Sequence, residues 1–119
     1  MDSVTTPQTK KMLEAQPHID IRKVSVGTTI IIDASPHIYE FRVLNDLGMI
    51  EATSSDPKLR QPIVGIYVSG FYDHDDIVTF PWRIAATLKM KIRFLNGFYL
   101  SAPVLSARII GKGYHYDVF

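Results

Sequence analysis

The chain contains no cysteine. That absence excludes a disulfide framework, a thiolate metal site and a cysteine nucleophile, and it leaves the redox compartment open. Charge of one sign is also lacking: 13 Lys and Arg against 12 Asp and Glu leave a net +1. No global field points to nucleic acid or to an anionic membrane, so any such site has to be local. No apolar run approaches the roughly 20 residues of a membrane-spanning helix. The opening stretch MDSVTTPQTKKMLEAQPH lacks the apolar core of a secretory signal, so the expected compartment is cytoplasmic, with no membrane partner. Two further absences matter. No helical period of core length runs through the chain, and no nucleophile elbow of the G-x-S-x-G kind is present, since Ser69-Gly70 lacks the earlier glycine.

What is there suits one globular domain. An apolar share of 46% and a charged share of 21% over 119 residues allow a core that buries roughly two-thirds of the unfolded surface. The clearest local signal is Leu88 to Leu100, LKMKIRFLNGFYL. Leu88, Met90, Ile92 and Phe94 alternate with Lys89, Lys91 and Arg93, which puts apolar side chains on one face of a strand and cations on the other. Asn96-Gly97 is the preferred pair for a tight type I′ turn. Counting back from it pairs Phe94 with Tyr99 and Arg93 with Leu100.

Upstream, residues 1–18 read as a polar arm, with a short helix over Gln8 to Gln16 whose apolar content is too thin to bury a stripe. Residues 19–119 read as one β domain. Ile19 to Ile21 is a short lead-in strand, and Thr28 to Asp33 a β-branched one. In Ile38 to Leu44 the core face has to be Tyr39, Phe41 and Val43, because burying Glu40 and Arg42 unpaired would cost several kcal/mol. Asn45 to Gly48 is a turn and Met49 to Thr53 a further strand. Ser54 to Pro62 is a loop; Ile63 to Ser69 is a strand expected to be buried on both faces near its middle, with Gly65 marking a bulge or a close backbone approach. Ile77 to Trp82 is a short apolar segment, and Arg83 to Thr87 a helical turn or crossing. After the hairpin, Pro103 interrupts the return strand and Val104 to Ile110 resumes it. Short turns between about six to seven strands predict an all-β meander, closed or partly open as a small barrel. SH3-like or OB-like barrels are the analogy, at the level of fold alone.

Four features are candidates for chemistry. Lys89, Lys91 and Arg93 project from one hairpin face over about 13 Å. Arg83 and Arg108 could join them, and Tyr99 could supply a stacking ring, as in single-strand binders that combine cations with aromatics. The plain alternative is a solvated face whose lysines keep a strand edge from pairing with other chains. Asp73-His74-Asp75-Asp76 is acidic but lacks the spread of ligands, the glycine turn and the distal Glu of a calcium loop, so no metal and no cofactor is expected. The histidines His18, His37, His74 and His115 are scattered singly through loops and ends. Finally, Tyr114, Tyr116 and Phe119 crowd aromatic area into the C-terminal tail, which either covers the end of the barrel or contacts a partner. The leading expectation is a non-enzymatic module that acts through protein contacts or self-association, as a structural or assembly component. Single-stranded nucleic-acid binding through the cationic hairpin face is the alternative.

Overall fold

A computed structural model describes residues 14–72 and 79–119. The domain is all-β, as the alternation predicts. Its strands are β1 (His18–Asp20), β2 (Thr29–Ala34), β3 (His37–Val43), β4 (Met49–Ser54), β5 (Ile63–Phe71), β6 (Thr79–Pro81), β7 (Arg83–Ala85), β8 (Lys89–Phe94), β9 (Gly97–Pro103), β10 (Ser106–Gly111) and β11 (Tyr114–Asp117). Of the helix expected over Gln8 to Gln16, only Glu14 to Gln16 are described; Glu14 and Ala15 are helical and Gln16 is a bend. His18 already belongs to β1, one residue before the expected domain boundary. Arg83 to Ala85, expected as a helical turn or crossing, is a strand that pairs antiparallel with β1.

The main sheet is antiparallel and nine-stranded, in the order β11-β10-β2-β3-β4-β5-β8-β9, with β6 also paired to β5. Period-2 alternation sets one face inward. Ile30, Ile32, Tyr39, Phe41, Val43, Ile50, Tyr67, Met90 and Ile92 are all essentially inaccessible and form one cluster. Ile19, Ile21 and Ile84, from the β1–β7 ladder and its flank, join that cluster. Among the described residues no helix is long and apolar enough to cross a membrane.

The ladder does not close into a barrel. Only Val104 and Leu105 separate β9 from β10, yet β10 has two edges and both are taken, by β2 and by β11. Among the described residues β9 therefore keeps one unpaired edge.

Two local features place the outer face of β5, β8 and β9. Gly65 is buried beneath Phe94, where an added Cβ would stand 2.5 Å from the Phe94 ring and 2.8 Å from the Arg93 carbonyl oxygen. That is the close approach its position in a strand predicts. Between Tyr67 and Ser69 the β5–β8 register shifts by a bulge. The expectation that the middle of β5 is buried on both faces fails at Ile66, which is 36% exposed, and Val64 before it is 50% exposed.

The β8–β9 hairpin differs in register from expectation. Phe94 pairs with Gly97, Arg93 with Phe98, Ile92 with Tyr99 and Lys91 with Leu100. Leu95 and Asn96 are thus the central turn residues, and neither has positive φ, whereas Gly97 does at +133°. The turn is not type I′, which needs positive φ at both central positions. A two-residue shift preserves faces, while a one-residue shift would have exchanged them.

Candidate functional site: the cationic and apolar face of β5, β8 and β9

Cross-strand partners share a face, so the register defines this surface. One row runs Ile66, Arg93, Phe98; the next runs Ser69, Lys91, Leu100. Phe98 is 60% and Leu100 56% exposed, and Leu95 at the hairpin tip is fully exposed. The Lys91 ammonium lies 4.4 Å from the centroid of the Phe98 ring. A cation over an aromatic face is attracted by the ring quadrupole, so Lys91 and Phe98 are held as one unit. Two clefts flank the Ile66-Arg93-Phe98 row. The larger, about 360 Å³, is lined by Ser69, Phe71, Tyr72, Thr79, Lys91, Phe98 and Leu100. The other, about 300 Å³, lies between Met49, Val64, Ile66, Arg93 and Leu95. Among the described residues no carboxylate pairs with Lys91 or Arg93. Lys89, at the far end of the strand, already has an interaction within the chain.

The other cations expected here are elsewhere. Arg83 lies on β7, its guanidinium 4.9 Å from the Phe80 ring centroid and its Nε 3.7 Å from Asp20 Oδ2. Arg108 lies on β10, with Nε donating to Asp117 Oδ1 at 3.0 Å. Nor does Tyr99 stand on this face. It is 9% exposed and points into the core, where the register places it beside Ile92. The exposed ring is Phe98. Sequence signal for this was present, since either hairpin register puts Tyr99 on the apolar side of β8. The proposed edge protection also changes: β8 lies between β5 and β9, so its cations guard no strand edge.

Tyr99 serves a different purpose. Its hydroxyl donates to Asp56 Oδ2 and lies 2.6 Å from the Tyr39 hydroxyl. Asp56 also caps a 3-10 turn, Pro57–Leu59, by accepting from the Lys58 amide at 3.0 Å. Burial pushes the Tyr99 phenol well above its ordinary range, and the hydrogen bond to Asp56 adds to the effect. The same bond, with the Lys58 amide, holds the Asp56 carboxyl below its usual value.

The aromatic tail divides. Phe119 and Val118 pack on the core, and the Val118 amide donates to the Ala107 carbonyl at 2.9 Å. Tyr114 and Tyr116 stack on each other with centroids 6.1 Å apart and stay about half exposed. The described histidines do not converge. His18 meets the Phe80 ring edge, His37 lies near Ser55, and His115 is on exposed β11. His74 and the acidic tip Asp73 to Asp76 lie outside the described residues. Among those described, no group of metal-ligating side chains forms.

Comparison with known proteins adds no template: no family model matches the chain, and neither the curated proteins nor the solved structures return a match.

Proposed function

We propose that this chain is a non-enzymatic β module that acts through protein contacts, as a structural or assembly component. The sheet curls around one core toward a partly open barrel, SH3-like or OB-like in analogy. The observation that carries the reading is the outer face of β5, β8 and β9, where Val64, Ile66, Leu95, Phe98 and Leu100 expose neighbouring apolar area. Apolar patches of that kind, rimmed by polar groups, mark interaction surfaces more often than idle ones. Lys91 and Arg93 add orientation, because complementary charge sets register and partner choice more than affinity.

Size-exclusion chromatography with light scattering, run with and without a long oligothymidylate, tests the reading. A mass above the monomer that ignores the oligonucleotide supports it. A monomer that binds the oligonucleotide saturably overturns it in favour of the nucleic-acid alternative, in which Phe98 would take the stacking role.

A further inference from the structure

The opposite charge sits on this same chain, one strand away. On the outer face of β2 and β3, Ile31 pairs with Glu40 and Asp33 with Ile38. These four side chains make a compact patch that is half acidic and half apolar. Ile38 is 47% exposed, and a cleft of about 240 Å³ opens between Ile31, Ile38, Glu40 and Thr53. By comparison, a cavity of roughly 150 Å³ holds a benzene ring. Among the described residues neither Asp33 nor Glu40 has an ion-pair partner. The adjacent arginines are already engaged, Arg42 with Glu51 at 3.1 Å and Arg108 with Asp117 at 3.0 Å. Both acids therefore keep their charge available toward solvent.

We infer that the partner of the cationic face is the acidic patch of a second copy of this chain, with Phe98 entering the Ile31–Ile38 cleft and Lys91 and Arg93 meeting Glu40 and Asp33. The inference rests on the protein-contact reading and names its occupant. The complementarity is specific in kind. One surface offers a projecting ring with two cations beside it; the other offers an apolar recess with two carboxylates beside it. Neither surface complements itself, since each would face its own sign of charge, and like charges across an interface cost several kcal/mol. Each contact consequently joins unlike surfaces, reciprocally across a two-fold axis or head-to-tail. β4 separates the two surfaces on the curled sheet, so one copy presents both at once. A two-fold pair makes both contacts at once and stops at two chains, whereas a head-to-tail arrangement gives rings where the rotation closes and filaments where it does not.

The test uses the full chain and two variants, each with one face disabled by exposed-site changes that spare the core. Arg93→Ser with Phe98→Ser removes the cationic face; Ile38→Ser with Glu40→Ser removes the acidic patch. Melting curves establish that both fold. Light scattering at rising concentration is then expected to show wild-type mass climbing to two chains or beyond, and falling back toward one in high salt. Each variant alone should stay monomeric, and an equimolar mixture should stop at two chains. Three results overturn the inference: a wild-type monomer at every concentration, an oligomer that persists in either variant, or a mixture that stays monomeric. An oligomer that persists in both variants leaves the protein-contact reading standing and removes only the assigned surfaces. A wild-type monomer that binds oligothymidylate removes both.

Discussion

The hydroxyl oxygens of Tyr39 and Tyr99 lie 2.6 Å apart, although 60 residues separate the two side chains. The contact joins β3 to β9 across the interior, and Asp56 extends it to the loop after β4. A buried hydroxyl keeps its folding contribution only while its partner is present. Tyr99→Phe should therefore cost about 1–3 kcal/mol, since it leaves the Tyr39 hydroxyl without its bond. The double variant with Tyr39→Phe should cost less than the sum of the two single changes. Urea denaturation of the four proteins measures the coupling, and strict additivity would show that the pair does not act as a unit.

The same network sets a dependence on pH. Asp56 is held below its usual value in the fold, so its contribution is present above the unfolded pKa near about 4 and is lost as pH falls through the folded value. Tyr39, Tyr67 and Tyr99 are raised, chiefly by burial, so their contribution is full below about pH 10 and is lost as pH rises. Melting temperature against pH should fall on both sides. Asp56→Asn should flatten the acid limb, and tyrosinate absorbance from the three buried rings should appear together with unfolding. An acid limb unchanged in Asp56→Asn would remove this carboxylate from the account.

Two glycines carry opposite kinds of constraint. At Gly65 the obstacle is space, because an added Cβ would meet the Phe94 ring at 2.5 Å. Gly65→Ala should destabilise by about 1–3 kcal/mol through overpacking. At Gly97 nothing lies within 4 Å of a would-be Cβ, but φ is +133°. Gly97→Val should cost about 1–2 kcal/mol through backbone strain alone. Thermal melting decides each case, and an unmoved midpoint at either position contradicts the hairpin geometry.

Much of this fold was legible in the sequence. The faces of β3 and β8 follow from alternation, and unpaired Glu40 and Arg42 could only point outward. Register was less legible. Asn96-Gly97 favours a type I′ turn, but the ladder pairs Phe94 with Gly97 and so sets Leu95-Asn96 at the centre instead. Turn preference alone thus does not fix the register of this hairpin. Barrel closure failed for a similar reason: nothing local in Tyr114 to Asp117 announces that this tail takes the edge of β10 that β9 would need. The cationic half of the site was visible as Lys91 and Arg93. Its aromatic half was assigned to Tyr99, although pairing with the apolar side of β8 already sends that ring inward and leaves Phe98 outside.

Changing Lys89, Lys91 and Arg93 together to Gln separates the two functional readings by salt dependence. If all three neutralised phosphates, single-strand affinity would fall with a log–log salt slope of about −2, at roughly −0.7 per contact. The expected outcome is that wild-type protein shows no saturable oligonucleotide binding at about 0.1 M salt, where the screening length is near 10 Å. The triple variant should instead lose self-association. A saturable, salt-sensitive complex that vanishes in the variant would reverse the ranking.

The central claim is that the outer face of β5, β8 and β9 is a protein-contact surface, and one measurement meets it directly. Sedimentation velocity compares wild-type chain with Phe98→Ser combined with Leu100→Ser. Both side chains are more than half exposed, so folding stability should change by no more than about 0.5 kcal/mol per site. Wild-type protein is expected to sediment faster as concentration rises, and the variant to sediment as a monomer throughout with its melting temperature retained. Identical concentration dependence in the two proteins, with both correctly folded, would contradict the account.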